Sequence, residues 1–129
     1  MLLPISSNTL GELDVRVLIE QFTDRQTGNR AAAGWGGDKY RLIERQDGKL
    51  GFILQTTWDT AGDADEFATA LAQGLKKRFR VNEGDASGAR VLIHDPEQSS
   101  LIVKRGQDVL LVMGPDEAMI SQTAGSLGF

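Results

Sequence analysis

Residues 40–57 read YRLIERQDGKLGFILQTT, and this stretch decides the fold. Two runs rich in strand-forming residues, 40–44 and 50–57, flank the segment Gln46-Asp47-Gly48-Lys49. An Asp-Gly pair between two such runs is a strong local signal for a β-hairpin turn. The sequence therefore predicts that the two runs are antiparallel neighbours in one sheet.

The segment after this hairpin, residues 60–78, has helical periodicity. The apolar residues that recur at helical spacing are Ala64, Phe67, Ala68, Leu71 and Leu75. This spacing places them on one face of a helix. Thr60 with Asp63 is the pattern of a capped helix start. We predict that the helix buries Phe67, Leu71 and Leu75 against the sheet.

The segment before the hairpin is predicted to be helical. Thr9 and Glu12 have the spacing of a capping box, and the apolar residues that follow predict a helix over about residues 10–22. A short second helix is predicted to end at Ala33, with Gly34 at the position that stops it. Both helices precede the first strand of the hairpin.

The C-terminal half is predicted to add three strands and one helix. The β-rich runs 90–94, 101–104 and 109–113 are separated by turn sequences, which predicts an antiparallel meander. Residues 82–88 are predicted to be a loop. Pro115 is predicted to take a first helical position and to open the last helix.

This order of elements predicts the fold class. Hairpins without βαβ units favour an α+β fold with an antiparallel sheet of about five strands and helices packed on one face, in the order α(α)ββαβββα. The chain of 129 residues has the size of one domain. We therefore predict a single α+β domain over residues 1–129, which is either a whole protein or a fragment of a longer one.

The composition argues against several classes of function. Lys and Arg number 14 against 18 Asp and Glu, a net charge of −4, whereas nucleic-acid binding rests on a basic face. No apolar run approaches the roughly 18–20 residues of a membrane span. The chain has no cysteine, which excludes disulfides and thiolate metal ligands.

Two groups of residues are candidates for a catalytic or metal site. His94, the one histidine, has Asp95 and Ser99-Ser100 nearby, but a strand end beside a proline turn is where such residues normally fall. The acidic group from Asp59 to Glu66 lacks the spacing of a calcium loop, and helix-start electrostatics explain it. We therefore expect no catalytic residue, no metal and no cofactor, and a protein that is not an enzyme.

The most unusual stretch is Gly34-Trp35-Gly36-Gly37-Asp38. It leads into a predicted strand, so it is neither a dinucleotide fingerprint nor a Walker loop. We favour a structural role, a tight connection from helix to strand, over a ligand or partner surface around Trp35. If the stretch is a binding surface, the candidate residues are Trp35, Gly36, Gly37, Asp38, Trp58 and Asp59.

The two tryptophans are predicted to lie together. The hairpin brings the start of its first strand beside the end of its second, where Trp35 and Trp58 stand. We predict that both indoles are largely buried on one side of the domain, with Asp38 or Asp59 accepting their N–H groups. Tyr40 is expected opposite Thr56 or Thr57. Gly36 and Gly37 are expected where the backbone crosses close to a ring.

Three segments carry a resemblance to a known family. Residues 9–13, residues 31–40 with the Gly-Trp-x-Gly-Asp motif, and residues 57–67 with Trp-Asp-x-x-x-Asp-Ala look like the C-terminal region of poorly characterised bacterial and archaeal surface proteins. Members of that family resemble zinc metallopeptidases, with a His-Glu-x-x-His motif upstream of the matched region. That motif is missing from this chain. The resemblance implies an accessory domain without its peptidase and an extracytoplasmic setting. The architecture alone also looks like PsbP/Mog1-type α+β domains, an analogy that does not fix function.

Two functional hypotheses follow from the sequence. The first is a non-catalytic accessory or interaction domain, with a peptidase-like domain of the same protein as its partner. The alternative is a small-molecule or lipid-binding module with an apolar pocket between sheet and helix. A third, less favoured hypothesis is an enzyme that acts through Asp38, Asp59 or His94. A concave pocket favours the second or third, and a flat apolar patch favours the first.

Overall fold

The computed structural model of the chain describes residues 3–8, 33–78, 85–87, 90–94 and 98–129. Within them lie seven strands and two helices: β1 (Leu3–Asn8), β2 (Trp35–Glu44), β3 (Leu50–Trp58), α1 (Ala61–Arg78), β4 (Asp85–Ser87), β5 (Arg90–His94), β6 (Ser99–Arg105), β7 (Asp108–Gly114) and α2 (Glu117–Ser126). The predicted helices over residues 10–22 and up to Ala33 lie outside the described residues, apart from Ala33 itself.

All seven strands form one sheet in the order β1-β2-β3-β7-β6-β5-β4, and every neighbouring pair is antiparallel. The predicted hairpin is confirmed as β2 and β3, joined by a turn in which Gly48 has φ +84°. The predicted meander is confirmed as β5, β6 and β7. The α+β class with an antiparallel sheet is therefore confirmed.

Two strands were not predicted. β1 pairs with β2, so that Leu3 is opposite Glu44 and Asn8 opposite Tyr40, with an irregularity between Pro4 and Ser6. β4 pairs with β5 inside residues 82–88, which the sequence predicted to be a loop. β1 reads Leu-Pro-Ile-Ser-Ser-Asn, with its apolar residues in one block, and β4 is only Asp-Ala-Ser, so neither strand has an alternation to detect.

The two described helices lie against opposite faces of the sheet, and the expectation that helices pack on one face is corrected. On one face, α1 packs over strand residues such as Leu54, Ile102 and Leu111. On the other face, α2 packs over their chain neighbours, such as Ile53 and Leu110. The physical reason is the uninterrupted apolar run of β7, because a strand with apolar side chains on both faces must be covered on both.

The predicted inward face of α1 is confirmed. Phe67 is 0% exposed, Leu71 1% and Leu75 2%. The Phe67 ring stacks on Trp58 with 4.6 Å between the ring centroids. Thr60 Oγ1 accepts from the Asp63 amide at 3.0 Å, which caps the start of the helix as its sequence indicated.

The second helix begins at Glu117, two residues later than predicted. Asp116 is its N-cap and accepts the Met119 amide at 2.9 Å, so Pro115 precedes the cap and does not occupy the first helical turn. Asp116 also accepts Arg45 Nη1 at 2.6 Å, and Arg45 holds Asp47 in the hairpin turn with a second contact of 2.7 Å. These contacts tie the turn between β2 and β3 to the start of α2.

Candidate functional site

The candidate residues from the sequence lie at one end of the sheet, where β2 begins and β3 ends. We call this region the Gly–Trp corner and define it as residues 34–38, 57–63 and 107–108. The start of α1 and the turn between β6 and β7 complete it. Trp35 pairs with Trp58 directly across the two strands, so the predicted meeting of the two tryptophans is correct.

The glycine stretch belongs mostly to β2, not to a connection that precedes a strand. Trp35 is the first residue of the strand, five residues before the predicted start at Tyr40. The register shifts between Trp35 and Gly37, which leaves Gly36 as an extra residue in a β-bulge. The stretch was misread because a bulge with two glycines has neither alternation nor β-branched residues.

Gly36 has a packing role different from the predicted one. A Cβ on Gly36 would stand 3.1 Å from the Thr57 carbonyl oxygen, so the close neighbour is backbone and not an aromatic ring. Gly37 has ordinary space, with Thr57 Cγ2 at 3.8 Å as the nearest contact. Tyr40 lies opposite Leu54, and Asp38 opposite Thr56, which corrects the predicted pairing of Tyr40 by two or three residues.

The two indoles lie on the same side of the sheet, but Trp58 is more deeply buried than Trp35. Trp58 is 3% exposed and lies in the core cluster under α1, as predicted. Trp35 packs against the same cluster and is partly buried, less deeply than Trp58. The reason is its place at the first position of β2, where the bulge ends the paired sheet.

Each indole N–H has an acceptor. Trp35 Nε1 donates to Asp38 Oδ2 at 3.0 Å, as the sequence predicted for one of the two tryptophans. Trp58 Nε1 donates to Thr56 Oγ1 at 2.8 Å, and not to an aspartate. Thr56 in turn donates to the Val109 carbonyl at 3.1 Å, which links the buried indole to the neighbouring strand β7.

Gly34 connects the corner to the start of α1. Its φ of +82° is in the left-handed region, and a Cβ there would come within 2.5 Å of Asp63 Cγ. The Asp59 amide donates to the Gly34 carbonyl at 2.8 Å. A positive φ together with a side chain this close favours glycine at this position.

The turn between β6 and β7 holds the end of β3 in place. The Trp58 amide donates to the Gln107 carbonyl at 2.9 Å, and Gln107 Nε2 donates to the Asp59 carbonyl at 2.8 Å. Thr57 Oγ1 donates to Asp108 Oδ1 at 2.7 Å. The backbone of the corner is therefore fixed by three different segments of the chain.

The outer surface of the corner is small and acidic. Exposed residues in it are Gly36, Thr57, Asp59, Thr60, Ala61, Gly62, Gln107 and Asp108. The carboxylates Asp59 and Asp108 give this surface negative charge. A partly buried indole is thus set beside an exposed acidic surface.

The other sequence candidates do not come together with this corner. His94 ends β5 and pairs with Ser99, at the opposite end of the sheet from Asp38. The strands β3, β7 and β6 separate β5 from β2, which is four strand spacings or roughly 19 Å. Ser100 is 1% exposed, so its hydroxyl does not face a substrate. No cluster of three metal-binding side chains occurs among residues that the structure describes.

A groove lies between α1 and the strands β5 and β6, that is, between helix and sheet as in the alternative hypothesis, although the sequence did not name its lining residues. It has a volume of about 330 Å³. Its lining is Asp65, Ala68, Thr69, Ala72, Gln73, Lys76, Val91, Ile102 and Lys104. The signal that could have found it is the pair Ala68 and Ala72, because alanines on a helix face leave space above a sheet.

The comparisons with known proteins give a family without a known role. Residues 3–124 match a family described as a domain of unknown function, DUF8575, and the chain belongs to this family. Comparison with curated proteins found no significant match, nor did comparison with solved structures. In the part of the chain that the structure describes, neither helix is both long and apolar enough to cross a membrane.

Proposed function

We propose that this chain is a non-catalytic accessory domain that binds a protein partner through the Gly–Trp corner. The observation that carries the proposal is Trp35, whose indole is partly exposed yet held in place by Asp38 and by its pairing with Trp58. A rigid aromatic side chain at a surface loses little conformational entropy on binding, which is why such residues anchor interfaces.

The sequence resemblance indicates which partner to expect. The Gly-Trp-x-Gly-Asp and Trp-Asp-x-x-x-Asp-Ala motifs that carry the resemblance are the same residues that build the corner. We therefore propose a peptidase-like domain of the same protein as the partner, in an extracytoplasmic setting. Asp59 and Asp108 favour a basic patch on that partner, since complementary charges steer and orient association.

The reading frame around the segment that encodes this chain gives the first test. We expect a His-Glu-x-x-His motif upstream in the same frame. The upstream domain, purified separately, is then titrated into this domain by isothermal calorimetry, and a saturable heat of binding is expected. A frame without a peptidase-like segment, or an upstream domain that gives no binding heat, would contradict the proposal.

The groove between α1 and the sheet supports a second candidate function, the binding of a small molecule. Ligand pockets are usually concave and mostly apolar, with a few polar groups and volumes from about 300 Å³ upwards. The groove has this size, an apolar floor and charged residues at its rim. Its residues do not overlap with the Gly–Trp corner, so the two functions are compatible.

A further inference from the structure

The groove follows one side of α1 over a considerable length. Its helix residues Asp65, Ala68, Ala72 and Lys76 recur at helical spacing. From the first to the last is about three turns, or roughly 16 Å along the helix axis. The groove is therefore elongated, and its two ends carry different charged groups.

The floor of the groove is apolar and fixed in place. Ile102 is 1% exposed and Ala72 is 8% exposed, while Val91 and Ala68 are partly buried. Val91 and Ile102 face each other across β5 and β6, so they form one continuous surface. An apolar segment of a ligand would lie along this surface and displace water from it.

The charged groups at the two ends of the groove differ: one end has an ion pair and the other has a single lysine. Lys104 Nζ contacts Asp65 Oδ1 at 2.9 Å, which neutralises that end of the groove. Lys76, at the other end, has no ion-pair partner among the described residues. The rim therefore carries one surplus positive charge, and this charge is at the Lys76 end.

We infer that this groove binds a small amphipathic carboxylate, with the carboxylate at Lys76 and the apolar chain along Ala72 and Ile102. This inference rests on the second function proposed above and names its ligand class. A cationic ligand would need a carboxylate in the groove lining, and the carboxylate of Asp65 is already paired with Lys104. A neutral apolar ligand would leave the Lys76 charge unused.

The size of the groove limits the ligand. Its volume of about 330 Å³ corresponds to roughly eleven liquid water molecules at about 30 Å³ each. A ligand with on the order of ten non-hydrogen atoms fills that space, which matches a medium-chain fatty acid such as octanoate. Long-chain lipids exceed it.

The test is a titration of the whole chain with octanoate, followed by calorimetry and by amide chemical shifts. We expect saturable binding, with the largest shifts at Ala72, Lys76 and Ile102. Octanamide has the same shape without the charge and should bind about fivefold more weakly. Equal affinities for the two would overturn the assignment of an anionic ligand while leaving a ligand groove in place.

Substitutions decide whether Lys76 provides the specificity. Lys76→Gln should weaken octanoate binding about fivefold and leave octanamide binding unchanged. Lys77→Gln is the matched control, since Lys77 is exposed on the same helix and does not line the groove. An equal loss in the Lys77 variant would show non-specific attraction and overturn the proposed position of the carboxylate.

A variant that fills the groove tests the location. Ala68 is partly buried at the groove, and Ala68→Leu should prevent binding of both ligands. A thermal unfolding curve checks that the variant is folded, and Thr69→Leu gives a second, more exposed substitution in the same wall. Binding that survives in both folded variants, or no octanoate binding to the wild-type chain, would overturn the proposed site. Neither result bears on the Gly–Trp corner.

Discussion

At the scale of single residues, Trp35 and Trp58 form a cross-strand pair whose members have different surroundings. Trp58 stacks on Phe67 under α1, with its N–H bonded to Thr56. Trp35 begins the strand, reaches the surface and is held by Asp38. One indole therefore belongs to the core and the other joins the core to the surface.

Removing the two indoles should have unequal effects on stability. Trp58→Ala should lower the free energy of unfolding by about 3–5 kcal/mol, because it empties a fully packed aromatic site. Trp35→Ala should cost less, since part of its side chain is already exposed. Urea denaturation of both variants measures this difference. An equal or larger loss at Trp35 would make it a core residue and remove the basis for a surface role.

Gly34 and Gly48 provide a matched pair for separating backbone strain from steric contact. Both have a positive φ, +82° and +84°, but only Gly34 has a neighbouring side chain within reach of a Cβ. Gly48→Ala should cost about 1–2 kcal/mol from the backbone alone. Gly34→Ala should cost more, because the new methyl group meets the Asp63 carboxylate.

A double variant tests the cause of that extra cost. Asp63→Ala added to Gly34→Ala should recover part of the lost stability, because it removes the carboxylate that the methyl group meets. Thermal unfolding of the single and double variants measures the recovery. If Gly34→Ala costs no more than Gly48→Ala, the contact between Gly34 and Asp63 does not constrain the corner.

At the scale of elements, the long helix was the feature most reliably predicted from sequence. The spacing of Phe67, Leu71 and Leu75 predicted their burial because helical periodicity depends only on the chain itself. The start of β2 was missed because a bulge is set by the partner strand. A Cβ at Gly36 would lie close to the Thr57 carbonyl oxygen, which favours glycine in the bulge. This constraint comes from the partner strand, so the local sequence pattern does not show it.

The packing of α1 on the sheet can be tested through Phe67. Phe67→Ala should lower the free energy of unfolding by about 3–5 kcal/mol, since the side chain is fully buried and stacks on Trp58. Lys77→Ala, an exposed change on the same helix, is the control and should have little effect. Comparable losses in the two variants would contradict this packing.

The contacts of Arg45 with Asp47 and Asp116, which link the hairpin turn to α2, should make the free energy of unfolding fall at acidic pH. Hydrogen bonds from Arg45 hold the pKa of Asp47 at about 2, below its ordinary value of 3.8. They also hold the pKa of Asp116 below its ordinary value. Carboxyl groups with lowered pKa values stabilise the folded state above their unfolded pKa, and this contribution is lost as the pH falls through the folded value.

The expected result is a fall in the free energy of unfolding between about pH 5 and pH 2. Arg45→Gln should reduce this fall, because both carboxyls then return toward their ordinary pKa values. Arg41→Gln is the control, since Arg41 donates to Gln55 and bonds to no carboxylate among the residues that the structure describes. Urea denaturation across this pH range makes the comparison. An unchanged acid dependence in the Arg45 variant would contradict the link.

At the scale of the whole molecule, one sheet separates two cores. The core under α1 contains Leu54 and Leu111, while the core under α2 contains Ile53 and Leu110. The apolar run in β7 indicates in the sequence that both faces of the sheet are covered, but the sequence analysis used it only to predict a strand. Continuous apolar strands indicate cover on both faces, which is a property of the whole sheet and not of one element.

The position of the candidate site was predicted from the sequence more closely than the exposure of its residues. The hairpin argument placed Trp35 beside Trp58 from topology alone. How much of Trp35 stays exposed depends on the bulge at Gly36, on Asp38 and on the start of α1, which meet only in the folded molecule. The lining residues of the groove, such as Ala72 and Ile102, were not predicted for the same reason, because helix and strand are far apart in the sequence.

The central claim, that the Gly–Trp corner is a partner-binding surface, is tested most directly by reversing one charge on it. Asp59 is exposed at the corner, and Glu44 is an exposed carboxylate at the far end of β2. The measurement is a calorimetric titration of the upstream peptidase-like domain into Asp59→Lys, with Glu44→Lys as the matched control. The account predicts that Asp59→Lys weakens binding about tenfold or more and that Glu44→Lys binds like the wild type. Equal affinities for the two variants would contradict it.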